Sequence, residues 1–540
     1  MATSPQRAYR ANCPNCGAPV EFASAASASA ICGFCRSTLV RDGEALKRIG
    51  VSAALFDDHS PLQLGASGTY KGLPFTLVGR LQFGYEGGTW NEWHALFDSG
   101  AGGQRSGWLS EDNGAYVFAF DAPTPAGAPA DAPAAELLTI GRSLQFDGRP
   151  WTLASRVQAR LLAAQGELPR PPALDSSFTV LELRNTQDEV GTLDFSDARR
   201  AAWSTGSAVL LADLKMSGLR EASEKSLSDR SFECPGCGAT LEVKLTSTQA
   251  ITCTQCNTVT DVSKGIGGEL EHYRQNNTGA GGLEPLIPLG SAGTLVLGTA
   301  QPETWQVVGY MERCDLPAPG DDEEQVFWRE YLLFNRALGF AFLVDSEEDG
   351  WSWVRPITGT PAAEPGGKVS LRGIVFAEHY TYKAKVTWVQ GEFYWRVQRD
   401  EQATVTDYAG TGKSSSRRLS RERTGSEEVW SAGQTIDAVL VAKAFGIADA
   451  GAAAFRRDAV PLAAAKAGAA SLLSKGVVLL VVFIVLVIIM STCSSDACDD
   501  YRRSFGENSA EYKQCQRSAA SARTSGGSWG GYSSGGGGHK

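Results

Sequence analysis

At 540 residues the chain exceeds what one hydrophobic core supports, so several domains are expected. A composition 43% hydrophobic and 20% charged excludes wholesale disorder. The net charge of -10 argues against general nucleic-acid binding, because neutralising phosphate needs clustered Lys and Arg.

The N-terminus, MATSPQRAYRANCPNCG, has no apolar h-region, so the expectation is that no signal peptide exports the first domain. Residues 1–45 then read as a small ribbon: Cys13-Pro14-Asn15-Cys16-Gly17, followed by Cys32-Gly33-Phe34-Cys35. Residues 50–222 are rich in short β-branched and aromatic runs, of which Phe75–Gly79 is the clearest. An Ala/Pro stretch at Ala122–Ala135 interrupts them and reads as a loop or linker. A second ribbon is expected over 228–265, with Cys234-Pro235-Gly236-Cys237-Gly238 and Cys253-Thr254-Gln255-Cys256. A second β-rich region follows over 283–447, carrying Trp305–Gly309 and Tyr380–Val389, with a loop expected at Thr358–Gly367.

Residues 448–475 are Ala/Gly-rich and precede an uncharged stretch, 476–495, whose centre Val477–Met490 is wholly apolar. Twenty residues at about 1.5 Å each span about 30 Å, the hydrocarbon thickness of a bilayer, so a transmembrane helix is expected. Arg456, Arg457, Lys466 and Lys475 precede it, while Asp496, Asp499 and Asp500 follow. That bias places the large N-terminal part in the cytoplasm and the tail 496–540 outside. In the tail, Cys498 and Cys515 can close a disulfide or remain free thiols, and the terminal Gly/Ser-rich stretch is expected to be disordered.

The chain repeats itself. Both ribbons are C-x2-C-x15-C-x2-C, offset by 221 residues. Trp90-Asn91-Glu92-Trp93 answers Trp328-Arg329-Glu330-Tyr331, with the run that follows one residue shorter, as a bulge would leave it. Gln165-Gly166-Glu167 answers Gln390-Gly391-Glu392, and Trp203-Ser204-Thr205-Gly206 answers Trp430-Ser431-Ala432-Gly433. Markers in one order at nearly one spacing indicate a tandem duplication: ribbon plus β-rich sandwich or barrel, twice. The fold class is mainly β.

Four thiolates at this spacing suit a tetrahedral Zn²⁺ ion, with sulfur about 2.3 Å from the metal. The ligand sets are Cys13, Cys16, Cys32 and Cys35, and Cys234, Cys237, Cys253 and Cys256. Disulfides are disfavoured without export, and a redox Cys-x-x-Cys ordinarily comes singly beside a βαβ pattern. Four thiolates fill the coordination shell, so the two ions are expected to be structural rather than catalytic.

No catalytic signature is evident. The five histidines (His59, His94, His272, His379 and His539) have no metal-ligand spacing, and there is no nucleophile elbow or phosphate-binding loop. The acidic runs Asp321–Glu324 and Glu347–Asp349 read as solvated loops. Glu92 and Glu330, between aromatics, would be an acid or base if buried, but read more simply as solvent-facing or backbone-bonded strand residues. Cys314 has no twin and reads as a packed thiol.

The β units resemble the bacterial DUF4178 family. The resemblance is carried by the Val-Gly of Leu77-Val78-Gly79 and Val307-Val308-Gly309, and by the W-x-E-[WY] segments at Trp90 and Trp328. It continues in the Q-G-E turns at Gly166 and Gly391 and the W-S-x-G segments at Trp203 and Trp430. It implies a role around membrane homeostasis, stress or polyamine-linked processes, and it transfers no activity. The expectation is a non-enzymatic, single-pass adaptor that recruits cytoplasmic protein partners to a bacterial inner membrane. The alternatives are β domains that bind or process a small ligand or polyamine, and ribbons that bind nucleic acid.

Overall fold

A computed structural model describes residues 9–447, less 23–28, 43–44, 52–59, 86–87, 99–103, 113–114, 173–176, 198–199, 221–230, 246–247, 263–269, 276–284, 317–324, 337, 347–348 and 399, together with Phe455. The expected transmembrane helix at 476–495, the tail at 496–540 and the acidic run 321–324 lie outside the described residues. Among the described residues no helix is long and apolar enough to cross a membrane.

The first unit opens with ribbon strands β1 (Tyr9–Asn12), β2 (Pro19–Phe22), β3 (Ser29–Ile31), β4 (Ser37–Asp42) and β5 (Ala45–Val51). The larger domain follows with β6 (Ser67–Tyr70), β7 (Leu73–Tyr85), β8 (Gly88–Asp98), β9 (Gln104–Asp112), β10 (Ala115–Ala122) and helix α1 (Ala132–Glu136). It ends with β11 (Ser143–Phe146), β12 (Arg149–Leu168), β13 (Ser177–Arg184), β14 (Glu189–Asp194) and β15 (Ala202–Val209).

The second unit repeats the plan. Its ribbon holds β16 (Ser231–Glu233), β17 (Thr240–Glu242), β18 (Ala250–Thr252), β19 (Thr258–Asp261) and β20 (His272–Arg274). Its barrel begins with β21 (Ala292–Leu295), β22 (Glu303–Leu316), β23 (Phe327–Asn335), β24 (Gly339–Ser346) and β25 (Gly350–Ile357). Strands β26 (Ala362–Glu364), β27 (Lys368–Leu371), β28 (Ile374–Phe393), β29 (Gln402–Gly410), β30 (Arg417–Arg423) and β31 (Glu428–Thr435) follow, with helix α2 (Ala438–Ala444) last.

Each large domain is a closed antiparallel barrel of eight strands. In the first, the ring runs β12-β13-β14-β15-β10-β9-β8-β7 and closes through β7 on β12; in the second, β28-β29-β30-β31-β25-β24-β23-β22 closes through β22 on β28. Closure depends on one long strand per barrel, 20 residues each, which pairs with both neighbours. Eight strands leave an interior just wide enough to be filled by side chains. The second barrel's interior packs Met311, Trp328, Leu332, Phe342, Val344 and Val405. Its outer face at Tyr331 and Leu343 is covered by α2 through Val441 and Phe445, and by Ile287.

The shorter run after Trp328 is not a bulge. β8 and β23 align without a gap, and the extra residue sits in the partner strand of both repeats, at Val78 and Val308. The Ala/Pro stretch is also more than a linker. It holds α1, started by Asp131, whose side chain accepts from the Ala134 N–H at 2.9 Å. At the matching place, Thr358–Gly367 contains β26, paired antiparallel with β27. Both elements are too short for a hydrophobic period to reveal them.

The repeats touch. Arg156 N–H donates to Ser426 O at 3.0 Å, and Thr360 N–H donates to Asn185 O at 3.1 Å. Arg372 pairs with Asp188 at 3.1 Å.

Candidate metal centres

The knuckles are built by tight turns that sequence spacing dictates. Gly17 N–H donates to Cys13 O and Gly238 N–H to Cys234 O, each at 2.8 Å, with Gly17 and Gly238 at φ +75° and +76°. A side chain at these positions would be strained, which is why glycine follows each first pair. The second knuckles use Arg36 and Asn257, both at φ +56°.

These turns bring all eight predicted cysteines into two clusters. In the first, Cys13 and Cys35 sulfurs lie 3.6 Å apart and Cys16 and Cys32 sulfurs 3.7 Å apart. In the second the corresponding distances, Cys234 to Cys256 and Cys237 to Cys253, are again 3.6 and 3.7 Å. Within each cluster the ligand atoms lie within 4.8 Å of one another, and all eight cysteines are free thiols. Sulfurs placed about 2.3 Å from one ion at tetrahedral corners are separated by about 3.8 Å, so the clusters have the size of a four-thiolate metal cage. Ser37 Oγ lies 3.2 Å from Cys35 Sγ, and Thr258 Oγ1 lies 3.1 Å from Cys256 Sγ. The hydroxyl beside each favours the thiolate and lowers Cys35 and Cys256, while hydrogen bonds among the clustered sulfurs and burial raise Cys16, Cys234 and Cys237. Deprotonated sulfur is the form that binds metal.

Each ribbon is joined to its barrel by strand pairing. β3 extends the sheet beside the end of β12, with Gly166 opposite Ile31, and β18 does the same on β28, with Ile251 opposite Glu392. The Q-G-E and Val-Gly motifs meet at this joint. Gly166 faces Gly79 in the register, and Gly391 faces Gly309. A Cβ on Gly391 (φ +85°) would lie 2.3 Å from Val308 O, and one on Gly166 (φ +71°) 2.2 Å from Val78 O. Only glycine tolerates both the conformation and the approach.

The glutamate of the second Q-G-E motif ties the ribbon down. Glu392 carboxylate oxygens accept from Lys244 N–H at 3.0 and 3.1 Å, Leu245 N–H at 3.0 Å and Thr248 O–H at 2.6 Å. The counterpart loop of the first ribbon, 23–28, lies outside the described residues. Glu392→Ala leaves these donors without their acceptor and is expected to cost about 1–3 kcal/mol. Hydrogen exchange should quicken at Lys244 and Leu245 while β22 keeps its protection; unchanged exchange at those two amides would refute the anchor.

The W-x-E glutamates do not face solvent. Glu92 and Glu330 are buried, and each accepts from the indole N–H two residues before it: Trp90 at 3.4 Å, Trp328 at 2.8 Å. Glu330 also meets Arg313 at 3.3 Å, and Arg313 is held on its other side by Glu422 at 2.8 and 3.1 Å. β30 does not neighbour β22 or β23, so this ion network crosses the second barrel's interior. The W-S-x-G glycines serve close strand approach: a Cβ on Gly206 would sit 2.2 Å from Phe118 O, and one on Gly433 1.8 Å from Trp353 O. His94 lies at the first joint, Nδ1 2.9 Å from Glu167 O and Nε2 2.9 Å from Ser106 Oγ. Cys314 is a buried thiol, as expected. Sequence reasoning missed Arg313 and Glu422, since no spacing rule links positions on non-adjacent strands.

A family model described as a domain of unknown function, DUF4178, matches residues 63–210 and again 296–438, which are the two barrels. No curated protein and no solved structure matches the chain.

Proposed function

The chain belongs to the DUF4178 family, which it contains twice over, and on that footing we propose that it is a membrane-anchored adaptor with two structural zinc ions. The supporting observation is that each four-cysteine cluster closes around its centre and its ribbon is pinned to a barrel whose shared motifs serve packing. With all four positions taken by thiolate, zinc holds a fold and offers no site to substrate. The outer surfaces of ribbon and barrel are then what remains for recognition. The apolar run at 476–495 would anchor the chain in a bacterial inner membrane, with the ribbons and barrels on the reducing, cytoplasmic side. Membrane stress or polyamine-linked processes are the setting the family resemblance implies.

Affinity purification from solubilised membranes tests this. Protein partners should co-purify with the wild-type chain and be lost with Cys13→Ser or Cys234→Ser. A partner set indifferent to both substitutions would end the adaptor reading, and recovery in the soluble fraction with 476–495 intact would end the anchor. A small-ligand role has one observation in its favour, the polar interior of the first barrel.

A further inference from the structure

The two barrels are copies, and at one position a buried histidine of the first stands where the second has a leucine. In the register, His94 pairs with Gly79 as Leu332 pairs with Gly309. His94 is 1% exposed and lies where the first ribbon joins its barrel. Its Nδ1 is 2.9 Å from the backbone carbonyl of Glu167, the residue opposite Ala30 of ribbon strand β3. Its ring centre is 5.3 Å from that of Trp108, which packs with Ile31 of the ribbon and with Ala164 and Leu168 of β12. The imidazole is thus one layer from the contact that holds β3 to the barrel.

The hydrogen bonds fix the form of the ring. A carbonyl only accepts, so Nδ1 carries the proton, and the neutral ring then accepts at Nε2 from the Ser106 hydroxyl at 2.9 Å. Both nitrogens are satisfied without a charge, and a second proton would put an imidazolium into a closed, largely apolar joint. Burial lowers His94 from 6.5, against the Glu167 carbonyl and the charge of Asp121. Asp121, on β10, is half exposed and shares its charge with Arg170 at 3.7 Å. Glu167 brings a buried carboxylate on β12, and Glu92, two residues back on β8, shares the His94 face and accepts from the Trp90 indole. Arg80 of β7 lies on the other face, over the Trp93 ring.

The second joint lacks this polar set. Leu332 packs in one cluster with Ala250 and Val259 of the second ribbon. Leu96 pairs with Ser106 as Phe334 pairs with Phe340, and Asp121 pairs with Ser204 as Pro356 pairs with Ser431. Phe340 therefore stands where Ser106 stands, and Pro356 where Asp121 stands. The three positions change together, from a hydrogen-bonded imidazole and its neighbours to apolar packing.

We propose that mild acid releases the first ribbon from its barrel through His94, while the second ribbon, packed on Leu332, stays docked. The neutral ring fits the closed joint; the charged ring is better solvated once β3 has left β12. A group lowered on folding binds its proton more tightly in the open form, so the stability it gives the joint is whole above about 6.5 and is lost as pH falls below it. Release would uncover Ile31, Trp108 and Leu168 in one of the two repeats. The device belongs to the joint and does not depend on what the outer surfaces recruit.

Hydrogen exchange of the metal-loaded full chain in detergent, corrected for the intrinsic pH dependence of exchange, tests the proposal. One ordinary imidazole in the open form shifts the opening equilibrium by at most about tenfold between pH 7.5 and 5.5. Protection of β3 is expected to fall about three- to tenfold over that interval, and protection of β18 to stay constant. His94→Leu installs the residue of the second copy and should remove the pH dependence of β3. If His94→Leu does not fold, His94→Gln, which keeps a donor and an acceptor without titrating, should do the same. No fall at β3, an equal fall at β3 and β18, or a fall that persists in the folded variant would each overturn the proposal.

Discussion

Removing the metal from either four-cysteine cluster is expected to unfold its ribbon while its barrel stays folded. Among the described residues and beyond the cysteines, the second ribbon's own buried apolar cluster is Leu241, Val243, Ile251 and Val262, and that of the first is Val20, Phe22, Ala30 and Leu39. Cores of this size do not offset the conformational entropy of ordering such a segment. Metal binding in comparable small sites contributes about 10–16 kcal/mol, so the ion decides whether the ribbon is folded. Each barrel has its own, larger core and a ring closed without ribbon strands. Cys253→Ser removes a fully buried ligand and should lower the metal content from two equivalents to one, read by elemental mass spectrometry. Amide exchange should then rise across 231–262, including the β18 edge that pairs with Phe393, and stay low in β22–β25. Protection of 231–262 that survives chelation would refute a metal-dependent ribbon.

Arg313→Met is expected to destabilise the second barrel by about 3–5 kcal/mol, the usual cost of leaving buried charge without its partner. Glu330 and Glu422 are 1% and 3% exposed and would lose the guanidinium between them. The effect should depend on pH in a defined direction. Burial pushes Glu330 up to about 7 from 4.5, opposed by Arg313 and reinforced by Glu422. A carboxyl raised on folding binds its proton more tightly in the folded chain, so its stabilising contribution is complete below about 4.5 and is lost as pH rises through about 7. Without Arg313 only the Trp328 indole N–H opposes burial at Glu330, and the loss extends to higher pH. Urea unfolding should therefore show Arg313→Met closer to wild type at pH 5 than at pH 8. Replacing all three residues together with apolar ones of similar volume should recover most of the stability, since the desolvation cost goes with the charges. An equal deficit at both pH values would contradict the assignment.

How much was legible varied with the distance over which each feature is assembled. Cys-x-x-Cys spacing is local, and two residues between sulfurs admit few turns, so both four-cysteine clusters followed from the chain alone. The duplication was also visible, because the markers repeat in order. What those markers do was hidden. Glu92 and Glu330 read as strand residues facing solvent or backbone, yet closure of the ring turns them inward, where burial makes the indole N–H their partner. α1 and β26 read as loops or linkers because five and three residues give no period to detect.

The amino-acid sequence by itself determined the two four-cysteine clusters, the tandem plan and the β class, because each follows from covalent spacing or from a pattern within a few residues. Only the tertiary structure decided that Arg313 lies against Glu422, 109 residues away, and that Glu392 holds the loop at Lys244 and Leu245, nearly 150 residues before it. The physical reason is ring closure. Groups on non-adjacent strands face one another only once all eight strands are paired, and burial then makes a charge costly wherever it is unmatched.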